Sequence, residues 1–333
     1  MQRQPPPPPG NRPSNNTAMN QSQQKPPPPS RPFLPIAPST FSENDLPSVK
    51  SKFKTVVEER SLRSKTCRFI EEASKALKLP PLTYYTAMVF FHRFYAVHSF
   101  EDKERFEVAV ACILLAAKTE ESPKKLVTVI QECHKLKTRS AKRATTANTS
   151  SPNSSNSAAG EVLDNTSREF IELKERILLH ERVILHTIGF ELSIDHPHKY
   201  IVEIETMYRN KQIETQPENA KIMQKVKVDA HRFANDSMYL PLCLQYESKT
   251  IAAAIIYMSA IQNKLKPAGN QSWLEILDGC DDFYSLFNIA KQILDYIGEK
   301  KGMDRIKSEI ENDLKLLSQK EEKGESDAKR QRR

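Results

Sequence analysis

The chain has 333 residues, a formal net charge of +8 and only eight glycines. Its length accommodates about two domains. No apolar run approaches the ~18 residues of a membrane span, and the N-terminus lacks the apolar core of a signal peptide, which predicts a soluble protein inside the cell with no membrane partner. The five cysteines are isolated and form no C-x-x-C pair, which predicts reduced core residues rather than a disulfide framework.

The two ends of the chain differ in composition from the middle. Residues 1–38 combine proline runs at 5–9 and 26–29 with Gln, Asn and Ser. Such a segment has almost nothing to bury, so the sequence predicts a disordered, partly polyproline tail. Residues 299–333 are rich in charge and are predicted to form a helical or disordered tail.

Between the tails, helical periodicity dominates and no sustained period-two alternation occurs. A first group of five predicted helices covers about Arg60–Leu77, Thr83–His98, Glu104–Lys118, Lys124–Leu136 and Arg168–Ile188. Residues 139–165 separate the fourth helix from the fifth. Their Ser, Thr, Asn and Ala content predicts a flexible insertion.

The helical pattern then restarts, which indicates an internal repeat. The second group of predicted helices lies near Pro197–Tyr208, Ala220–Ser237, Ser248–Asn263, Gln271–Leu277 and Asp282–Ile297. The tripeptide His92-Arg93-Phe94 recurs as His231-Arg232-Phe233, and an almost wholly apolar helix follows each copy. The predicted fold is all-α, with two tandem five-helix domains at residues 39–193 and 194–298, each built around its third helix.

The most informative stretch is Val108 to Ala117, ten residues without a polar side chain, which ends at Lys118. A helix that is apolar on every face belongs at the centre of a bundle, so the lysine is the first position to reach the surface. Ser122 and Pro123 have the pattern of a helix cap and first helical residue. The sequence therefore predicts that Lys118 is displayed at the tip of a buried helix.

Several longer segments resemble those of one known family. These segments are His92-Arg93-Phe94-Tyr95, Leu114 to Lys125, Leu179 to Leu192 followed by Asp195-His196-Pro197, Phe233 to Ser237, and Leu242 to Tyr246. Together they resemble a cyclin of the transcriptional group, and the second half is most similar to cyclins K and T. The resemblance implies that the two predicted domains are cyclin boxes.

The resemblance also implies a function. A transcriptional cyclin forms a heterodimer with the catalytic subunit of a cyclin-dependent kinase, and the complex phosphorylates the C-terminal repeats of RNA polymerase II and promotes elongation. In the family, a lysine at the end of the third helix and a glutamate in the fifth bind kinase backbone, and the matching residues here are Lys118 and Glu181. Leu114, Glu121 and Phe190 occupy positions at which family members make flanking contacts with the kinase.

Physical chemistry supports these two roles, although a simpler interpretation exists. An ammonium donates to carbonyl oxygens and a carboxylate accepts from amides, so the pair can clamp a loop without recognising its side chains. Alternatively, Lys118 is favourable at a helix C-terminus through the macrodipole, and Glu181 is ordinary surface charge.

Catalysis by the chain itself is not predicted. The sequence contains no Gly-rich phosphate loop, no G-x-S-x-G and no H-E-x-x-H, and the histidine spacings fit no metal-ligand pair. We therefore expect a non-catalytic kinase regulator without cofactor or metal.

Two alternatives remain open. The first is a nucleic-acid-bound scaffold similar to general transcription factor IIB, which would carry basic residues across its helix faces. The second is a splicing-associated cyclin of the L type, which would normally carry an Arg-Ser-rich tail. Nucleic-acid binding is not decided by the sequence. A basic cluster at the C-terminus predicts nuclear import, and its members are Lys329, Arg330, Arg332 and Arg333.

Overall fold

The structure, a computed structural model, describes residues 41–51, 55–146, 162–203, 206, 220–265, 283–298, 306–313 and 315. All regular secondary structure in these ranges is helical, and no strand occurs in them, which confirms the predicted all-α class. The predicted tail at 1–38 and the four candidate import residues lie outside the described part of the chain.

The first group of helices follows the predicted order. A short α1 (Pro47–Ser51) precedes the group, whose bounds are α2 (Val56–Ala76), α3 (Pro81–Phe94), α4 (Arg105–Thr119), α5 (Leu126–Thr146) and α6 (Arg168–Thr187). Side-chain caps set several of these starts. The hydroxyl of Thr55 accepts from the Glu58 amide at the start of α2, and Ser167 accepts from the Phe170 amide at the start of α6.

Helix α5 extends further than predicted. The sequence pattern placed its end near Leu136 and the start of a flexible insertion at residue 139, but the helix continues to Thr146. That part of the prediction is wrong. Lys137, Arg139 and Ala141 are good helix formers, and basic residues near a helix C-terminus interact favourably with the helix dipole, so the helix can continue. Residues 147–161 of the predicted insertion lie outside the described residues.

The second group also matches the predicted order where the structure describes it. Residues 197–203 are helical, and they precede α7 (Ala220–Ser237), α8 (Ser248–Gln262) and α9 (Phe283–Ile297). The helix predicted near Gln271–Leu277 lies outside the described residues. Residues 306–313 are helical as well, and they bury Ile306 and Ile310.

Two clusters of buried side chains correspond to the two repeats. In the first cluster, every residue from Val108 to Ala117 of α4 is at most 6% exposed, as expected of a central helix. In the second, the apolar face of α8 from Ile251 to Ile261 is buried in the same way. This arrangement supports two tandem repeats, while the exact boundaries at 39–193 and 194–298 stay a prediction.

Polar contacts join the two repeats. The hydroxyl of Tyr85 donates to Asn235 Oδ1 at 2.5 Å, and the Arg68 guanidinium donates to the Tyr296 hydroxyl at 3.2 Å. The Tyr239 hydroxyl donates to Glu71. Apolar packing accompanies these bonds, because Met238 belongs to the first buried cluster and Cys243 packs against it. The directional hydrogen bonds give the contact between the repeats a defined geometry.

Candidate functional site

The structure brings together the two residues that the sequence singled out. Lys118 lies in the last turn of α4, and its Nζ donates to Oε1 of Glu181 in α6 at 2.6 Å. The Lys118 side chain is 53% exposed and the Glu181 side chain 9%. The pair thus forms at the surface between two helices that are distant in sequence.

The burial pattern of the two helices explains this position. Helix α4 is enclosed from Val108 to Ala117, and Lys118 is the first exposed side chain after this stretch. Helix α6 points Ile177 and Ile184 into the core, and Glu181 lies on that same inward face. A carboxylate so little exposed needs a donor, which Lys118 supplies.

The pair keeps hydrogen-bonding capacity for a partner. An ammonium has three donors and a carboxylate about four acceptor sites, and the contact between Lys118 and Glu181 uses one of each. Because Lys118 is half exposed, solvent screens its side of the pair and limits what the pair contributes to folding. The remaining donors and acceptors of the pair can bind a backbone segment.

The three flanking residues lie in different environments. Phe190 is 60% exposed and Glu121 is also exposed, and both adopt positive φ, 59° and 50° respectively. Non-glycine residues rarely adopt this left-handed conformation, and such strain persists where the surroundings hold it. Leu114 is only 3% exposed inside α4, which leaves it almost no surface for the flanking contact that the resemblance implies.

Residues that the sequence interpretation missed hold the loop between α4 and α5, at residues 120–125. Oγ1 of Thr83 lies 3.0 Å from Oγ of Ser122, and the Thr86 hydroxyl donates to Oε1 of Glu120 at 2.7 Å. Thr86 Oγ1 is also 2.9 Å from Nε2 of His196. Sequence patterns gave no signal for these contacts, because buried threonines in an apolar helix are common.

The described residues offer no metal site or membrane helix. Within them, no group of three or more His, Cys, Asp or Glu side chains is arranged to hold a metal ion. None of the helices that the structure describes is long and apolar enough to cross a bilayer. The histidines that cluster in sequence have structural contacts instead: Nε2 of His198, for example, lies 3.0 Å from Asn235 Oδ1.

Comparison with known proteins places this architecture in a family. Residues 40–193 match the family described as cyclin, N-terminal domain. Cyclin-T1-3 of Oryza sativa subsp. japonica is 32% identical over 223 residues, which are 66% of this chain and 40% of the relative. Cyclin-L1 of Xenopus laevis is 33% identical over 225 residues, 67% and 40% respectively. Cyclin pch1 of Schizosaccharomyces pombe is 29% identical over 260 residues, 74% and 67%.

A solved structure shows the same fold at low sequence identity. One chain of the yeast RNA Pol II CTD kinase CTDK-1 complex aligns with a TM-score of 0.54 and 17% identity, over 78% of this chain and 77% of that chain. The present chain spans two fifths to two thirds of the length of the three relatives above. T- and L-type relatives match at similar identity, so the choice between a K/T type and an L type stays a prediction. These findings confirm the resemblance to transcriptional cyclins: the chain belongs to the cyclin family.

Proposed function

We propose that this cyclin is the regulatory, non-catalytic subunit of a heterodimer with a cyclin-dependent kinase. The complex would act in the nucleus, phosphorylate the C-terminal repeats of RNA polymerase II and promote transcription elongation. Similarity to T-type cyclins supports this proposal, as does the fold shared with a chain of a complex named as an RNA polymerase II C-terminal-domain kinase. Contact with the polymerase machinery would be indirect, through the kinase.

The observation that carries the proposal is the ion pair between the half-exposed Lys118 and the largely buried Glu181. A kinase loop that follows this surface can accept hydrogen bonds from the ammonium through its carbonyl oxygens and donate to the carboxylate through its amides. Both kinds of contact involve main-chain atoms. Recognition therefore depends on the course of the kinase backbone more than on its side chains.

Docking at this point would activate the kinase by fixing one of its helices. In protein kinases a Lys–Glu ion pair aligns ATP only when helix αC is correctly positioned, and this position is what regulators control. The exposed Phe190, at the end of α6, can add apolar contact area to the polar clamp. We include Glu121 in the same surface, and place Leu114 beneath it.

The proposal is tested by reconstitution with purified components. The chain is combined with each member of a panel of purified catalytic subunits of transcriptional cyclin-dependent kinases, and phosphorylation of a peptide with the C-terminal repeats of RNA polymerase II is measured. We expect at least one kinase to be stimulated at least a hundredfold. The Lys118→Glu variant should lose this stimulation, whereas Lys75→Glu, which reverses an exposed lysine on α2, should retain it.

Two results would contradict the proposal. One is a folded chain that stimulates none of the kinases in the panel. The other is binding of duplex DNA or RNA with an affinity that falls steeply between 50 and 200 mM salt, without kinase stimulation, which would favour the nucleic-acid-bound scaffold.

A further inference from the structure

We propose that Thr86 and His196 position the 120–125 loop, so that the second repeat controls how the docking surface presents Lys118. The proposal rests on the proposed function, because the docking surface is defined by the Lys118–Glu181 pair. It concerns residues that make no direct contact with the kinase in this scheme. They act through Glu120, two residues beyond Lys118.

Hydrogen-bond accounting fixes the direction of the contacts. Thr86 is fully buried on α3, with its Oγ1 2.7 Å from Oε1 of Glu120 and 2.9 Å from Nε2 of His196. A hydroxyl has a single proton, and a carboxylate only accepts, so that proton goes to Glu120. Nε2 of His196 must then carry its own proton and donate it to Thr86. The three side chains form one chain of hydrogen bonds, in which His196 donates to Thr86 and Thr86 donates to Glu120.

His196 is placed by the second repeat. It is only 4% exposed, and it directly precedes the 197–203 helix, in which Ile201 is part of the second buried cluster. The carbonyl oxygen of Asp195 accepts from the hydroxyl of Ser248, the first residue of α8, at 2.8 Å. The imidazole is thus tied to the central helix of the second repeat through one neighbouring residue.

Glu120 sits in a turn that needs support. The Ser122 amide donates to the Ala117 carbonyl at 2.9 Å, which closes the end of α4 as in a Schellman motif. The residue in the left-handed position of that motif is normally glycine, but here it is Glu121 with φ 50°. A side chain there costs roughly 1–2 kcal/mol. The bond from Thr86 to Glu120 holds this strained turn, and its loss would allow the tip to relax.

The electrostatic state of His196 is compatible with a permanent contact. Burial lowers the pKa of His196 to about 4. Its ring is therefore neutral at physiological pH and has one proton, at Nε2. Its other ring nitrogen, Nδ1, has no hydrogen-bond partner among the described residues, so none of them would accept a proton carried there.

Conservative and disruptive variants separate positioning from packing. Thr86→Val keeps the shape and removes the hydroxyl, whereas Thr86→Ser keeps the hydroxyl. His196→Leu removes the donor, whereas His196→Gln can donate from a similar place. We expect Thr86→Val and His196→Leu each to weaken kinase binding about tenfold. Thr86→Ser and His196→Gln should bind the kinase within threefold of the wild-type affinity. The double variant with Thr86→Val and His196→Leu should bind about as strongly as the single variant with the lower affinity. The two losses should not add, because both substitutions interrupt the same chain of hydrogen bonds.

His198→Leu is the matched control. His198 lies two residues after His196, in the 197–203 helix, and its ring stacks on Tyr85 of the first repeat at 4.4 Å between centroids. Its Nε2 is 3.0 Å from Asn235 Oδ1. It does not touch Thr86 or Glu120 in the contacts that the structure describes. Its replacement should leave kinase affinity within threefold of the wild type, even where it lowers stability.

Nuclear magnetic resonance on the free chain gives a readout that needs no kinase. Labelled imidazole nitrogens should show His196 as the neutral Nε2–H tautomer, and His196→Leu should shift the amide signals of Glu120 and Glu121 more than His198→Leu does. If the wild type binds no kinase, the proposed function fails while this measurement still decides the contact chain. The inference is overturned if the tautomer is Nδ1–H, if the amides do not shift, or if Val and Leu variants bind the kinase as the wild type does.

Discussion

Arg63 donates to Nδ1 of His92 at 3.3 Å, and the opposite nitrogen of that ring lies 3.0 Å from the carbonyl oxygen of Met238. A guanidinium only donates, so Nδ1 accepts and Nε2 carries the proton that is donated to Met238. Arg63 is fully buried and pairs with Glu59, one turn earlier on α2, with Nε to Oε1 at 3.0 Å. A neutral histidine therefore connects a buried ion pair of the first repeat to the second repeat.

Replacing Glu59 by glutamine should strongly destabilise the protein. The change removes the negative charge and leaves the Arg63 guanidinium buried without a counter-ion. Breaking a buried pair from one side costs about 3–5 kcal/mol. The measurement is the free energy of unfolding from urea denaturation at pH 7.

Lys75→Ala on the same helix provides the control. It breaks an i,i+4 pair with Glu71 in which the lysine is 60% exposed, so its cost should stay below about 1 kcal/mol. Equal losses for Glu59→Gln and Lys75→Ala would show that the buried pair has no special importance for stability.

The protein should lose stability as the pH falls below about 6.5. Burial lowers the pKa of His92 to about 3 and that of His196 to about 4, whereas both side chains titrate near 6.5 in the unfolded chain. In this window the unfolded state takes up protons that the folded state does not, so the free energy of unfolding decreases. Each histidine should account for a loss of about 2 kcal/mol between pH 7 and pH 5.

His92→Gln tests this pH dependence. Glutamine cannot take up a proton, so the variant should lose about 2 kcal/mol less than the wild type between pH 7 and pH 5, whatever its stability at pH 7. The comparison uses urea denaturation at both pH values. Parallel losses in the two proteins would contradict the neutral, buried state of His92.

Phe190→Asn should separate stability from docking. Phe190 is 60% exposed with φ 59°, and asparagine tolerates this conformation better than phenylalanine. We expect the free energy of unfolding to stay within about 1 kcal/mol of the wild type, while kinase affinity falls at least tenfold, about 1.4 kcal/mol. Titration calorimetry with the stimulated kinase measures the affinity.

Val57→Ala is the control for Phe190→Asn, because Val57 is also a strongly exposed apolar side chain, at 73%, and lies on α2 rather than at the end of α6. It should leave the affinity unchanged. Unchanged affinity in Phe190→Asn as well would remove Phe190 from the docking surface.

The unexpected length of α5 can be measured by amide hydrogen exchange. If the helix reaches Thr146, the amides of residues 139–142 should exchange at least tenfold more slowly than those of an unstructured peptide. Ser140→Pro should abolish this protection because proline cannot continue a helix, and Ser140→Ala should preserve it. Unprotected amides in the wild type would restore the loop that the sequence pattern predicted.

The elements that the sequence predicted best are those with a strong pattern. The apolar runs of α4 and α8 have no polar face to expose, so each helix must lie in a buried core. The central positions of the two helices and the exposure of Lys118 therefore followed from the apolar pattern alone. The end of α5 could not be predicted in the same way, because Lys, Arg, Ser and Ala near residue 140 are compatible with helix or loop. Such a boundary depends on weak propensities and tertiary contacts.

The supporting contacts of the site were less accessible from the sequence. Thr86 and His196 are 110 residues apart, and no local pattern indicates that they meet. The same is true of Arg63 and His92, since a buried arginine in an amphipathic helix looks like a surface residue in sequence. Long-range polar contacts depend on how helices pack, and periodicity alone does not encode this.

The most direct test of the docking surface is a charge swap at Lys118 and Glu181. Lys118→Glu and Glu181→Lys each break the 2.6 Å contact, whereas the double variant restores an ion pair of opposite orientation. Calorimetric titration of all four proteins with the purified kinase should give at least a hundredfold weaker binding for each single variant. The double variant should recover wild-type thermal stability yet stay at least a hundredfold weaker in binding, because its charges oppose the kinase backbone. Wild-type affinity in the double variant would show that the pair only stabilises the fold, and would contradict the proposed docking role.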